Sequence, residues 1–211
     1  MRIIFALLFT LVLLAGKGIA DEPMTKVVFR LESPTILPAS PGAEPRTLYR
    51  WQATKGRVEE GIDSEHKVQP LFIADGKDAW FINLITKSGR HMVDPSADET
   101  FYAPIIPPES PKAQVPIRNF EIGRELAFMN SQKIAPKPAT KDGQALQLYE
   151  CIQDGYTLDV YVSPTSGTPV ESDVTKDGKP IVKVIYSEYS TTLPADPKLF
   201  APPPNITISD N

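Results

Sequence analysis

Strand-like alternation of apolar and polar residues runs through this sequence, and helical periodicity is nearly absent. The clearest windows are 27–31, 49–53, 80–84, 158–162 and 182–186. Such windows predict β-strands. Some strands also carry apolar residues on their second side, as Ile181 beside Val182 does. A sheet with one solvated face does not need this, so we expect both faces to be covered, or one of them to line a cavity.

Asp-Gly pairs separate several of the strand-like stretches. They occur at Asp75-Gly76, Asp142-Gly143, Asp154-Gly155 and Asp177-Gly178, each between two strand-like stretches. Asp-Gly is favoured in tight hairpins because a type I′ turn needs positive φ at both central positions. Hairpins join antiparallel neighbours, so the sequence predicts a mainly β (α+β) fold built on a meandering antiparallel sheet.

Three stretches depart from the strand pattern. The proline-rich segment Pro95–Pro116 has an apolar centre and is predicted to be a loop that lies over an apolar surface. Asn119–Ser131 is predicted to be a short helix, with Asn119 as its cap and an apolar stripe at Ile122, Leu126 and Met129. Lys133–Lys141 is predicted to be a linker.

The first twenty residues predict export. Arg2 precedes an apolar run, and Gly18-Ile19-Ala20 forms a small-x-small cleavage site. The run is too short to span a bilayer as a helix, which needs about 20 residues. An uncleaved N-terminal anchor is the alternative. Lys17 stands where a lipoprotein would carry its lipidated cysteine, so we expect a periplasmic chain that is cleaved after Ala20 and has no lipid anchor.

Charge and cysteine content limit the possible partners and cross-links. The chain has 26 acidic and 22 basic residues, which argues against nucleic acid as a partner because nucleic acids bind basic patches. Cys151 is the only cysteine, so the chain forms no internal disulfide. We expect residues 21–211 to form one domain, and the protein to be a monomer.

Signatures of catalysis or cofactor binding are absent from the sequence. His66 and His91 have no histidine or cysteine partner at metal-ligand spacing, and there is no nucleophile elbow, Walker A loop or dinucleotide-binding glycine motif. We therefore expect a non-catalytic protein without metal or cofactor. A hydrolase assembled from distant residues is the open alternative, and it would bury one of these histidines beside a carboxylate and a nucleophile.

Four motifs, the last of them in two pieces, resemble the periplasmic lipoprotein carrier (LolA-like) and lipoprotein-sorting superfamily. Tyr49–Glu59 is similar to its "K-G-x-x-R-x-E" strand, and Phe72–Trp80 to its "D-G-x-x-x-W" hairpin. Leu158–Val170 resembles the apolar strand followed by "x-T-x-G-x-P". Tyr186–Tyr189 and then Leu193–Pro203 resemble the closing tyrosine strand and its "D-x-x-L-F-x-x-P" tail.

The resemblance covers roughly residues 25–206 and implies a strongly curved antiparallel sheet or half-open β-barrel. A short helix and the proline-rich loop would act as a lid over a concave face that holds acyl chains, without a cofactor. Two features depart from the family. Strand-like residues begin near Thr25, which leaves no room for the usual leading helix, and the lid region is rich in proline.

Acyl chains are held by non-directional apolar burial, worth ~0.8 kcal/mol per CH2. A carrier therefore needs a large apolar lining with few polar groups. The candidates for the cavity lining are Phe29, Tyr49, Trp51, Trp80, Ile82, Val160 and Tyr186. The candidates for the lid are Phe101, Tyr102, Ile105, Ile106, Ile122, Leu126 and Met129. Alternation does not distinguish the inner from the outer face, so ordinary core packing stays open for each residue.

The leading hypothesis is a periplasmic, non-catalytic carrier or binder of lipid or lipoprotein acyl chains. An envelope membrane protein is a further candidate partner. The alternative is an envelope sensor or scaffold that binds a protein through the same domain. A cavity beneath residues 101–106 would favour the carrier, whereas a filled interior with an exposed edge strand would favour the sensor or scaffold.

Overall fold

The computed structural model describes residues 22–36, 40–93, 100–106 and 117–210. Its strands are β1 (Met24–Glu32), β2 (Arg46–Trp51), β3 (Lys55–Glu59), β4 (Pro70–Asp75), β5 (Asp78–Asn83), β6 (Ser88–Val93), β7 (Lys137–Lys141), β8 (Gln144–Gln153), β9 (Tyr156–Val162), β10 (Pro169–Lys176), β11 (Lys179–Leu193) and β12 (Thr207–Asp210). The helix α1 spans Glu125–Ser131, and short 3-10 turns span Pro41–Ala43 and Pro197–Phe200.

All twelve strands belong to one curved sheet that does not close on itself. The spatial order is β12-β6-β5-β4-β3-β2-β1-β11-β10-β9-β8-β7. Neighbouring strands are antiparallel except at one end, where β12 runs parallel to β6. The predicted mainly β fold with a strongly curved antiparallel sheet is confirmed.

Four tight hairpins lie where the Asp-Gly pairs predicted them, joining β4 to β5, β7 to β8, β8 to β9 and β10 to β11. Asp142, Asp154 and Asp177 all have positive φ, as do the glycines that follow them. This is the backbone that a type I′ turn requires. The first hairpin differs, because its turn has positive φ at Gly76 and not at the aspartate before it.

The larger core cluster covers one face of the sheet, which we call the lid face. Val27, Leu48 and Val160 point to this face, and each is completely buried. The cover consists of residues 100–106 and 117–134, which we call the lid segments. Their apolar side chains belong to the same cluster as those of the sheet.

The opposite face is covered over a second, smaller cluster. Trp51, Ile73 and Ile82 contribute from the sheet, and Phe200 is buried against them from the C-terminal segment that leads to β12. The ring centroids of Trp51 and Phe200 are 5.9 Å apart. The expectation from the two-sided apolar strands is met, because each face has its own cover.

Two local predictions need correction. Helix α1 begins at Glu125 and not near Asn119, because Gly123 has a left-handed backbone (φ +80°) that a continuous helix cannot contain. The predicted linker Lys133–Lys141 ends in β7. Pro138 is tolerated there because β7 is at the edge of the sheet, where a missing backbone N–H breaks no ladder.

The predicted leader, residues 1–20, lies outside the described residues, and so do parts of the proline-rich segment, 94–99 and 107–116. Within the described ranges, no helix is long and apolar enough to cross a membrane.

We expect Phe200→Ala to lower the free energy of unfolding by about 3–5 kcal/mol, because it opens a cavity in the smaller cluster. Urea titration followed by tryptophan fluorescence measures this, since Trp51 contacts the deleted ring. Ile152→Ala is the control, because that side chain is 73% exposed and should change stability by no more than ~0.5 kcal/mol. Equal losses in both variants would contradict the role of Phe200 as part of a buried cover.

Candidate functional site

The lid segments form a single layer on the sheet. Backbone N–H groups of Ile122 and Ile105 donate to Ala103 O (2.9 Å) and Phe120 O (3.3 Å), which joins the two segments to each other. The N–H of Phe101 donates to Ala53 O at 2.9 Å and fixes the first segment to the turn between β2 and β3.

Phe101 packs directly on the sheet. A Cβ added to Gly56 would lie 2.2 Å from its ring, so only glycine leaves room for Phe101 at this position. Ile105 and Ile106 are also buried in the larger cluster. The described lid residues therefore fill the face that a carrier would offer to a ligand.

A buried ion pair connects β2 to the lid segments. Arg50 Nη2 donates to Glu121 Oε2 at 2.8 Å, and both side chains are almost completely buried. Arg50 also donates to the carbonyl oxygens of Phe101 (3.0 Å) and Ile122 (3.5 Å). Its guanidinium lies 4.9 Å from the centroid of the Phe101 ring, within the range of a cation–π contact. One arginine of the sheet thus contacts both lid segments.

A buried carboxylate makes the second polar connection. Glu125, the first residue of α1, is completely buried. Tyr186 donates its hydroxyl to Glu125 Oε1, and Tyr189 donates to Oε2 at 2.8 Å. The N–H of Gly123 donates to Oε1 at 3.0 Å.

A β-bulge in β11 makes this arrangement possible. Tyr186 pairs with Phe29 and Glu188 pairs with Val28, which leaves Ser187 as the extra residue. In a regular strand, residues three apart point to opposite faces. The extra residue reverses that alternation, so Tyr186 and Tyr189 both face the lid and meet edge to face at 5.2 Å.

Burial shifts the protonation equilibria of this group. Loss of solvation raises the pKa of Glu125 above its usual range, while hydrogen bonds from Tyr186 and Tyr189 act against that rise. Burial raises the pKa of Tyr186 and of Tyr189 well above 10, and the adjacent carboxylate adds to the effect. Both tyrosines are therefore neutral donors at physiological pH.

The structure divides the candidate lining residues between the two faces. Phe29, Val160 and Tyr186 lie on the lid face. The other four belong to or pack against the opposite cluster: Tyr49, Trp51, Trp80 and Ile82. The seven candidates therefore do not form one site. The alternation of apolar residues indicates that a strand has two apolar faces, but it does not indicate which face the lid covers.

The lid candidates do come together. Six lie in or against the larger cluster: Phe101, Ile105, Ile106, Ile122, Leu126 and Met129. Tyr102 is half-buried, and its hydroxyl has no hydrogen-bond partner among the described residues.

The polar residues of this site were not among the sequence candidates. Alternation in β2 placed Arg50 on the side opposite Tyr49 and Trp51, and only those two aromatic residues were candidates. Glu121 was placed in the first turn of the predicted helix 119–131, and Glu125 was given no role. Alternation placed Tyr189 on the face opposite Tyr186, which is wrong because the bulge at Ser187 turns both side chains to the lid face.

The histidines lie away from the lid face. His66 is exposed beside Asp63. His91 stacks on Trp80 and hydrogen-bonds Asp78 (2.7 Å) and Asp210 (3.1 Å). Among the described residues, neither ring hydrogen-bonds a hydroxyl or thiol, and no group of three His, Cys, Asp or Glu side chains could hold a metal ion.

Comparison with solved structures finds similar chains at low identity. A conserved protein from Thermus thermophilus has a TM-score of 0.49 and 10% identity, over 90% of this chain and 91% of that one. A chain of the Pseudomonas aeruginosa MucA/MucB complex has a TM-score of 0.41 and 13% identity, over 86% of this chain and 56% of that one. An outer membrane lipoprotein-sorting protein domain from Vibrio parahaemolyticus has a TM-score of 0.35 and 11% identity, over 86% of this chain and 91% of that one.

The lipoprotein-sorting class that the sequence motifs resemble is thus represented among the structural neighbours. No protein-family model matches the chain, and no curated protein matches it. With TM-scores below 0.5, function has to be argued from the residues of this chain.

We expect Glu125 to contribute a loss of stability as pH rises above about 4.5, the ordinary pKa of a glutamate. Burial raises the pKa of Glu125, so the folded state binds more protons than the unfolded state between the two values. Glu125→Gln keeps one oxygen that accepts from Tyr186, and its NH2 can donate to the Tyr189 oxygen in place of the present bond. The variant should remove this component of the slope. Arg50, Tyr186 and Tyr189 face the carboxyl group and do not lose their protons in this range.

Thermal melts between pH 4.5 and 8 measure the effect as the difference between Glu125→Gln and the unmodified protein. Glu188→Gln is the matched control, because it neutralises an exposed carboxylate on the strand that carries both tyrosines. A Glu125→Gln profile parallel to that of the unmodified protein would contradict the assignment.

Proposed function

We propose that this protein is an exported, non-catalytic binder of lipid or lipoprotein acyl chains, and that its lid segments move off the lid face when a chain binds. One observation carries the proposal. The apolar side chains of the lid segments occupy a continuous apolar face of the sheet and are joined to it by a small set of polar contacts at Arg50 and Glu125.

The energies of lid and ligand are similar in size. Burying an apolar side chain such as Phe101 or Ile105 is worth ~1.5–3 kcal/mol, so the seven buried apolar side chains of the lid segments contribute roughly 10–21 kcal/mol. An acyl chain with about fifteen CH2 groups offers ~12 kcal/mol at ~0.8 kcal/mol each. A bound chain can therefore replace the lid without a large net cost, which a reversible carrier requires.

The buried ion pair also supports a lid that opens. Pairing Arg50 with Glu121 recovers little more than the cost of removing both charges from water, and an apolar pair would hold a permanent cover as firmly. The pair instead fixes where the lid segments sit. When the lid opens, both charges regain solvent.

A second candidate, an envelope sensor or scaffold that binds a protein partner, is favoured by the filled lid face. Strand addition at β7 is disfavoured, because Pro138 and the flanking Lys137 and Lys141 protect that edge. Phe81 and Met92 on β5 and β6 are exposed apolar side chains to which such a partner could bind.

Glu121→Gln should strengthen binding of a pyrene-labelled fatty acid by about ten-fold. The variant removes the carboxylate that pairs with Arg50 in the closed state, so it destabilises the closed lid relative to the open lid. A destabilisation of about 1.4 kcal/mol corresponds to a factor of ten in affinity. Fluorescence titration of the purified protein gives the dissociation constants. Native mass spectrometry of protein prepared from periplasm would also detect co-purified lipid.

Glu188→Gln again serves as the matched control, since it removes a surface ion pair with Lys26, and it should bind as the unmodified protein does. The proposal fails if the folded protein and Glu121→Gln both show no saturable uptake and no lipid co-purifies.

A further inference from the structure

The lid face carries three polar side chains of the sheet at one place. Arg50 comes from β2, and Tyr186 and Tyr189 come from β11. Only β1 separates these strands, so the strand axes are about 10 Å apart at ~4.8 Å per neighbour. All three side chains are hydrogen-bond donors that stand among the apolar residues of the larger core cluster.

Among the described residues, the hydrogen-bond acceptors of these donors lie in the lid segments, and Ser172 of β10 is a polar neighbour of Tyr186 on the sheet. Arg50 donates to Glu121 and to the carbonyl oxygens of Phe101 and Ile122. The two tyrosines donate to Glu125. When the lid segments move away, the sheet therefore keeps a guanidinium and two hydroxyls that have lost their acceptors together.

A bare hydrocarbon chain in the place of the lid would leave these donors unsatisfied against apolar atoms, which is unfavourable. A ligand with an anionic head would restore their hydrogen bonds, as Glu121 and Glu125 do in the closed protein. The two lid carboxylates thus occupy the positions that a ligand's acidic group would take, and the lid's apolar side chains occupy the positions of its hydrocarbon chain.

Arg50 has further capacity for an anion. Its Nε is buried and has no hydrogen-bond partner among the described residues, although its terminal nitrogens are bonded. Guanidinium groups bind carboxylate or phosphate best through two parallel N–H groups. The lid leaves one of these donors unused, whereas a mobile headgroup can turn to reach it.

We infer that Arg50, Tyr186 and Tyr189 form a receptor for the carboxylate or phosphate headgroup of a single-chain or diacyl amphiphile, and that Glu121 and Glu125 occupy this receptor while the lid is closed. The inference rests on the proposed acyl-chain binding and adds the class of ligand. Glu125 is held by two neutral hydroxyls and the N–H of Gly123, with no cationic side chain bonded to it, whereas a ligand's acidic group could contact Arg50.

Competition against a pyrene-labelled fatty alcohol tests the inference. The competitors are hexadecanoic acid, hexadecanol, lysophosphatidylglycerol and inorganic phosphate. Both acidic amphiphiles should displace the probe at concentrations at least about ten-fold lower than hexadecanol does, and phosphate alone should not displace it. Whichever acidic amphiphile competes more strongly identifies the headgroup as carboxylate or phosphate.

The double variant Tyr186→Phe/Tyr189→Phe should lose most of the preference for acid over alcohol while still binding hexadecanol. The ratio of the affinities for hexadecanoic acid and hexadecanol reports only the contribution of the headgroup, because both ligands need the same opening of the lid. Tyr149→Phe is the control, since this half-buried tyrosine packs against the same cluster and should leave the ratio unchanged. If the double variant does not fold, as judged by circular dichroism, Tyr189→Phe alone should still reduce the ratio.

Equal affinity for acid and alcohol in the unmodified protein would overturn the headgroup receptor and leave acyl-chain binding intact. So would an unchanged ratio in the folded tyrosine variants, or displacement by inorganic phosphate at the concentrations effective for the acids. Absence of binding by every amphiphile would overturn the proposed function as well.

Discussion

Apolar residues on both sides of the strands require that the sheet be covered twice, and the arrangement of the chain follows from this constraint. Exposed apolar faces of this size are costly in water. The lid segments cover the face that carries Val27 and Val160, and the C-terminal segment covers part of the other face through Phe200. Both covers are segments of the chain that lie outside the strands they protect.

The two covers differ in how they are held. Phe200 packs on Trp51 within an apolar cluster, and the partly buried Arg57 donates one hydrogen bond to Leu199 O beside it, at 3.4 Å. The lid segments add buried polar contacts, from Arg50 to Glu121 and from the tyrosines of β11 to Glu125. Such contacts contribute little net stability but fix one arrangement, which suits a cover that leaves and returns to the same place. The contrast supports the proposal that ligands bind on the lid face.

Much of the fold could be predicted from short stretches of sequence. Strand windows and Asp-Gly turns gave the hairpins, because alternation and positive φ are local requirements. The start of the helix was predicted too early, because Gly123 has a left-handed backbone where it packs above β1 and β2. The spacing of apolar residues in the sequence does not indicate this contact. The candidate site was found in part. Most lid residues came together, but Trp51 and Trp80 lie on the other face.

The sequence alone determined that this chain forms antiparallel hairpins with two apolar sides, since neighbouring residues suffice to specify strands and turns. Only the tertiary structure decided which side the lid covers and which polar groups meet there. A single extra residue, Ser187, reverses the alternation of β11 and brings Tyr189 beside Tyr186. Burial of Arg50 and Glu125 depends likewise on segments distant in sequence, so their roles follow from packing and not from local pattern.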